Sequence, residues 1–101
     1  MAKRNIHPEV TNWKIFTVAG GFYYFGEEIE APEGYIAFTK ASMFGGFSGG
    51  KGLPGVQRMD PSARVTLDRF TEDAQILVPI SAVYAITDCG NLYEFEGTTL
   101  R

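Results

Sequence analysis

The sequence contains few of the residues that catalyse reactions or cross-link small folds. Among 101 residues there is one cysteine, Cys89, and one histidine, His7. A lone cysteine cannot form an internal disulfide, so the core alone must stabilise the fold, and a reducing, cytoplasmic setting is expected. Because the histidine and the cysteine stand far apart in unrelated contexts, we expect no enzymatic activity.

Long apolar runs and an excess of basic residues are also lacking. No stretch approaches the roughly 18 apolar residues of a membrane-spanning helix. The N-terminus has a basic pair without the apolar run of a signal peptide. The formal net charge is -3, which argues against a surface that attracts nucleic acid as a whole. We therefore expect no membrane partner, and nucleic acid is a less favoured partner than a small molecule or a protein.

Aromatic residues are abundant, at 14% of the chain, and they fall in short alternating segments with β-branched residues. No window of about 11 residues carries the apolar stripe of an amphipathic helix. Strands are predicted at 11–18, 22–25, 35–39, 64–68, 76–80, 83–86 and 92–95. Such short strands predict an all-β fold, namely a small antiparallel barrel of the SH3-like or OB-like kind, with a two-sheet sandwich as the alternative.

The chain is short enough for a single domain over 1–101, within which two segments lack strand patterning. Residues 1–10 are predicted to form a polar arm. Residues 41–62 are predicted to form a long loop, because they contain six of the 12 glycines and two prolines. Long loops inside small domains are usually functional or disordered.

Charge is distributed unevenly along the chain. Residues 21–34 carry four acidic and no basic side chains, whereas 35–71 carry five basic and two acidic ones, a local charge of +3. The basic segment includes the predicted loop. A local binding site for an anion is therefore compatible with an acidic protein.

The loop comes close to a phosphate-binding motif at Gly45-Gly46-Phe47-Ser48-Gly49-Gly50-Lys51-Gly52. Gly52 replaces the hydroxyl residue that would ligate magnesium, and the following Pro54 and Gly55 disfavour the long helix that the motif needs. A nucleotide hydrolase of that class is therefore excluded. Two interpretations remain, an anion cradle of glycine amides with Lys51, and a flexible surface loop with a solvated lysine.

Other side chains near the loop suit an anionic aromatic ligand. Phe44 and Phe47 could stack on a base, although they could equally pack inward or contact another protomer. Arg58, Arg64 and Arg69 could bind phosphate, although Arg64 could instead pair with Asp68. The predicted ligand-binding residues are Phe44, Gly45, Gly46, Phe47, Gly49, Gly50, Lys51, Arg58 and Arg64. No metal site and no cofactor is predicted.

Three elements in the second half of the chain carry a resemblance. They are the sequences Gly50-Lys51-Gly52-Leu53, Thr66-Leu67-Asp68 and Ala85-Ile86-Thr87-Asp88-Cys89. Their order resembles that in a group of short uncharacterised phage and prophage proteins with a KGL, a TxLD and an IxDC element. The segment before KGL, residues 43–47, departs from the group. The resemblance implies a phage-type origin, where small domains are often inhibitors, ligand sponges or virion parts.

Two functions follow as expectations. The first is a non-catalytic protein that captures an anionic small molecule, such as a nucleotide or a cyclic nucleotide signal, as a counter-defence sponge. A homo-oligomer is expected, because a small barrel has little surface with which to enclose a ligand alone. The second is a protein–protein interaction module, a virion component or an inhibitor of a host protein, with Phe44, Phe47 and Leu53 as anchors.

Overall fold

Seven strands and one short helix make up the fold in the computed structural model, which describes residues 6–101. The elements are β1 (Trp13–Val18), β2 (Phe22–Ile29), β3 (Tyr35–Ser48), α1 (Gly52–Gln57), β4 (Arg64–Arg69), β5 (Gln75–Pro79), β6 (Val83–Asp88) and β7 (Thr98–Leu100). Two 3-10 turns, Ile80–Ala82 and Leu92–Glu94, precede β6 and β7. The predicted strand at 92–95 is wrong. The side chain of Asn91 accepts a hydrogen bond from Tyr93 N instead (3.1 Å), which favours a turn.

The strands form one mixed sheet in the order β6-β1-β2-β3-β4-β7, and β5 also pairs with β3. The long strand β3 holds β5 along residues 35–39 and β4 along residues 42–48. All pairings are antiparallel except that of β4 with β7. The all-β class is therefore confirmed. The predicted antiparallel barrel is not, because the sheet over residues 6–101 is open and contains a parallel pair.

Apolar residues cover both faces of the sheet. Neighbouring positions in a strand point to opposite faces, and β1 has apolar residues at both sets of positions. On one face, Trp13 and Ile15 belong to a large buried cluster with Phe25 and Leu67. The 3-10 turn at Leu92–Glu94 contributes buried residues to this cluster. On the other face, Phe16 and Phe38 stack with ring centroids 4.3 Å apart. Two cores on opposite faces of one sheet thus stabilise the fold.

The predicted loop over 41–62 is wrong for most of its length, because β3 continues to Ser48 and α1 occupies Gly52–Gln57. The reason is a register shift between Phe44 and Gly46. Phe44 lies opposite Leu67 and Phe47 lies opposite Val65, so both aromatic rings face the large cluster although they are three residues apart. The extra residue interrupts the period of two by which a strand is recognised.

Residues 6–10 of the predicted polar arm contain no strand but are packed against the domain in part, and residues 1–5 of that prediction lie outside the described residues. Ile6 packs against the large cluster, and Val10 belongs to it with 8% of its surface exposed. The Ile6 carbonyl accepts a hydrogen bond from Asn91 Nδ2 at 2.7 Å. These contacts fasten the segment before β1 to the turn before β7.

Replacing Gly49 with alanine is expected to destabilise the fold by about 2–4 kcal/mol. The φ angle of Gly49 is +124°, and an added Cβ would lie 2.7 Å from the Ser62 carbonyl oxygen and 2.8 Å from Ala63 Cα. Urea denaturation measures the change. The matched control is Gly50→Ala, where φ is +80° and no atom lies within 4 Å of the added Cβ. Equal losses in the two variants would show that the backbone contact at Gly49 is unimportant.

Candidate functional site

The candidate site is a cavity of about 600 Å³ where the middle of β3, the end of β4 and the turn before β7 meet. Three cationic side chains line it, those of Lys40, Arg69 and Arg101. Phe70 and Tyr93 contribute aromatic surface. The remaining lining residues are Ile6, His7, Ala41, Thr71 and Glu72. A cavity of this size is in the range that holds a small-molecule ligand.

Main-chain hydrogen bonds bring the three cations together although they are far apart in sequence. Arg69 N donates to the Arg101 carbonyl oxygen at 3.0 Å, which is possible because β7 runs beside β4. Phe70 N donates to the Ala41 carbonyl oxygen at 3.0 Å. Lys40, next to Ala41, has a φ of +51°, at the point where the β2–β3 register shifts. The basic residues are therefore held by the sheet itself.

The three cations differ in how their charge is balanced. Lys40 Nζ lies 3.2 Å from Glu27 Oε1, and the Arg101 guanidinium donates to both carboxylate oxygens of Asp68 at 2.8 and 3.2 Å. Arg69 makes no side-chain hydrogen bond and no ion pair with any residue in 6–101. Its side chain is solvent-exposed. Arg69 is thus the cation at this site with its bonding capacity free for a ligand.

Tyr93 forms the inner wall of the cavity. Its hydroxyl donates to the Lys40 carbonyl oxygen at 2.7 Å and lies 2.8 Å from Ser42 Oγ. Burial raises the pKa of this hydroxyl above 10.0, while the hydrogen bond with Ser42 and the charge of Arg69 oppose the rise. Tyr93 therefore stays neutral at physiological pH, and its two hydrogen bonds fix the position of Lys40.

His7 closes one side of the cavity beside Glu72. Its Nε2 lies 2.9 Å from Glu72 Oε1, and only 15% of its side chain is exposed. Its ring also contacts Trp13 and Tyr93, with centroids 6.2 and 6.4 Å away. Glu72 is the acidic residue among the lining residues, and its Oε1 lies against the His7 ring. His7, which belongs to the predicted polar arm, thus has a position in the site.

None of the nine predicted ligand-binding residues lines this cavity. Phe44 and Phe47 form an aromatic cluster with Tyr23, at centroid separations of 5.9 and 5.7 Å, and pack against the large core cluster. Gly46 lies in the strand ladder opposite Thr66. The glycines are therefore distributed over β3 and the turn after it.

The predicted basic residues are also apart from each other. Lys51 is exposed at the start of α1. Arg58 Nη2 lies 3.7 Å from Asp60 Oδ2. Arg64 donates from Nη1 to the Pro61 and Ala63 carbonyl oxygens at 2.9 and 2.8 Å. The alternative in which Arg64 pairs with Asp68 is wrong, because Asp68 bonds to Arg101 instead.

Gly45 influences the site indirectly. A Cβ at this position would lie 2.7 Å from Asp68 Oδ2 and 2.8 Å from Arg101 Nη2. Glycine leaves room for this ion pair against β3.

The sequence signal that could have found the cavity is the basic segment 35–71, which contains Lys40 and Arg69. Arg101 gave no such signal, because its place depends on the pairing of β7 with β4.

Cys89 is expected to resist alkylation in the folded protein. Burial raises the pKa of its thiol from 9.0 to about 11, and its Sγ lies 3.6 Å from the Gln57 carbonyl oxygen. Since the thiolate is the reactive form, a pKa of about 11 in place of 9.0 lowers the thiolate fraction at pH 8 about 100-fold. Iodoacetamide labelling followed by mass spectrometry, in buffer and in denaturant, measures the difference. Equal rates would mean that the thiol is not buried.

No protein-family model matches the sequence, and no curated protein matches it either. Within residues 6–101 there is no helix with the length and apolar character to cross a membrane. The same residues contain no cluster of three or more His, Cys, Asp or Glu side chains suited to a metal ion. The case for a function therefore depends on the cavity itself.

Proposed function

We propose that the protein is a non-catalytic binding protein that captures a nucleotide or cyclic nucleotide in the cavity beside Arg69. The observation that carries the proposal is the convergence of Lys40, Arg69 and Arg101 next to Phe70. This moves the expected ligand site from the glycine-rich segment to the junction of β3, β4 and β7. The ligand class, an anionic small molecule, stays as the sequence predicted.

The phosphate group would bind at Arg69. A guanidinium presents paired N–H donors that match two oxygens of a phosphate, and Arg69 forms no ion pair with a carboxylate among residues 6–101. Lys40 and Arg101 keep their partners Glu27 and Asp68, which balance most of their charge. Arg69 would therefore supply the charge-assisted hydrogen bonds to the phosphate oxygens.

The base would stack on Phe70. The ring of Phe70 is 39% exposed, and its inner side lies on Tyr24, with centroids 6.2 Å apart and planes at 26°. Because Tyr24 holds the Phe70 ring in place while part of the ring stays exposed, a base can stack on it with little loss of side-chain entropy. The aromatic surface favours a nucleotide over inorganic phosphate as the ligand.

Calorimetric titration of the purified protein with AMP, ADP and a cyclic dinucleotide tests the proposal, with adenosine as the uncharged control ligand. We expect at least one nucleotide to bind, with an affinity that falls as salt is added, and adenosine to bind much more weakly. The Lys51→Ala variant is expected to bind as the wild type does, because Lys51 lies outside the cavity. Equal binding of adenosine and AMP, or loss of binding in Lys51→Ala, would contradict the proposal.

A biological role as a counter-defence sponge in a host cytoplasm accords with the resemblance to phage proteins and needs no catalytic residue. Capture alone lowers the free concentration of a signalling nucleotide. The matching expectation is that the bound nucleotide is recovered chemically unchanged after long incubation with the protein, as judged by chromatography. Appearance of a cleaved product would instead indicate an enzyme.

The second candidate function is a protein–protein interaction module, and it would use other residues than the anchors predicted from the sequence. Its predicted anchors Phe44, Phe47 and Leu53 pack against the core cluster. Large apolar side chains are exposed elsewhere, above all Tyr84 at 71% and Ile80 at 52%. Exposed aromatic and aliphatic groups of this size are typical of protein interfaces. This candidate would use the β5–β6 region and leave the cavity free.

A further inference from the structure

The outer side of β6 carries unpaired backbone groups. In the sheet of residues 6–101, β6 is a terminal strand that pairs with β1 alone. Cys89 N donates to the Trp13 carbonyl oxygen at 3.1 Å. In an antiparallel strand the backbone N–H and C=O groups of alternate residues point to opposite sides. The N–H and C=O groups of Ala85 and Thr87 therefore point to β1, as those of Cys89 do. Ile86 therefore directs its N–H and C=O to the open side.

This edge lacks most of the features that usually protect a terminal strand from pairing. Residues 83–87 contain no charged residue and no proline. The register shift between Thr17 and Val18 leaves Tyr84 as an extra residue between Val83 and Ala85 on β6, and the pairs from Ala85 to Asp88 are regular. The charge of Asp88 is balanced by Lys14 Nζ at 3.0 Å.

Apolar side chains accompany the open edge. Tyr84 is 71% exposed and Ile86 is 41% exposed. Ile86 lies opposite Phe16, so it stands on the sheet face that carries the Phe16–Phe38 core. Burial of such side chains would remove a large apolar area from water. Backbone groups and side chains at this edge are thus both suited to a further strand.

We propose that the further strand is β6 of a second copy of this chain, paired antiparallel around a two-fold axis at Ala85. An antiparallel pair of identical strands is closed by two-fold symmetry, so both copies use the same surface and the assembly stops at a dimer. With Ala85 on the axis, Tyr84 lies opposite Ile86 of the second copy. Aromatic and β-branched side chains are favourable partners across strands.

The Asp88 carboxylates do not oppose the antiparallel pairing of two β6 strands. Asp88 would lie opposite Ala82 of the second copy, so the two Asp88 carboxylates are about 20 Å apart at roughly 3.4 Å per residue. Each remains paired with its own Lys14. Two other strands of residues 6–101 lie at an edge of the sheet. β5 ends at Pro79, which has no N–H to donate, and β7 is only three residues long. The β6 edge is therefore the better site for a second copy. This inference does not depend on nucleotide binding.

Sedimentation equilibrium of the full chain tests the proposal. We expect the wild type to be a dimer and Ile86→Lys to be a monomer, because the substitution introduces a charge at the paired edge. The matched control is Leu77→Lys on β5, where Leu77 is 47% exposed, and we expect it to remain a dimer. A monomeric wild type, a dimeric Ile86→Lys or a monomeric Leu77→Lys would overturn the proposal.

A cross-linking experiment keeps the test valid if Ile86→Lys fails to fold. Ala85→Cys is made in a Cys89→Ser background, with Leu77→Cys in the same background as control. On the open side Ala85 forms a non-hydrogen-bonded pair with its symmetry mate, at a Cα separation of about 4.5 Å that a disulfide can span. Mild oxidation should yield a covalent dimer of Ala85→Cys, and far less of Leu77→Cys. Failure of Ala85→Cys to cross-link would overturn the two-fold arrangement.

Discussion

Replacing Arg69 with glutamate is expected to weaken nucleotide binding by about 100-fold or more. The substitution removes charge-assisted hydrogen bonds, which contribute roughly 1.5–3 kcal/mol, and places a carboxylate beside the ligand phosphate. The other two cations cannot compensate, because Lys40 is engaged with Glu27 and Arg101 with Asp68. Calorimetric titration with the nucleotide that binds the wild type measures the loss. Arg69→Lys should retain part of the affinity, since it keeps the charge but not the paired donors.

The matched control for this prediction is Arg58→Glu. Arg58 is also an exposed arginine in the basic segment, but it pairs with Asp60 beyond the end of α1 and does not line the cavity. We expect its affinity for the nucleotide to change by less than about threefold, through the change in net charge alone. If Arg69→Glu and Arg58→Glu weaken nucleotide binding equally, the loss comes from the change in net charge, and Arg69 has no particular role.

Replacing Phe38 with alanine is expected to destabilise the protein by about 3–5 kcal/mol, the range for large aromatic side chains removed from a core. Phe38 is fully buried and stacks on Phe16 at 4.3 Å. It also contacts Tyr24, with centroids 5.5 Å apart. This second core is small, so few neighbouring side chains can move into the space that Phe38 leaves. Urea denaturation followed by circular dichroism gives the free energy of unfolding.

Phe22→Ala is the control for the loss of the same atoms at the surface. Phe22 is 50% exposed at the start of β2, so its removal should cost about 1 kcal/mol or less. A loss at Phe22 as large as that at Phe38 would mean that the second core contributes little beyond general β-sheet contacts. Trp13, the sole tryptophan, offers a second probe of the same transitions.

The sequence allowed good prediction of those strands that alternate regularly. β1 follows the period of two throughout, with Trp13 and Ile15 on one face and Phe16 on the other, and the strand predicted from Thr11 to Val18 contains it. The second half of β3 was missed. Its register shift at Phe44–Gly46 places the two phenylalanines on one face at a spacing of three. Local patterning cannot show such a shift, because it is fixed by the partner strand.

The candidate site depends even more on long-range pairing. Lys40 stands at the bend of β3, Arg69 ends β4, and Arg101 follows β7, which pairs parallel to β4. The charge count predicted a basic region containing Lys40 and Arg69, and their chemistry pointed to an anion. Glycine content drew attention to another part of that region, which does not line the cavity. Its glycines serve the fold, as Gly45 does by leaving room for Asp68 and Arg101.

Amide chemical-shift mapping by NMR tests the central claim, nucleotide binding in the cavity, most directly. Labelled wild-type protein is titrated with the nucleotide that binds best in calorimetry. The account predicts that the largest shifts occur at Lys40, at residues 69–72, at Tyr93 and at Arg101, with small shifts at residues 49–52. Largest shifts at residues 49–52, with the cavity residues unaffected, would contradict it.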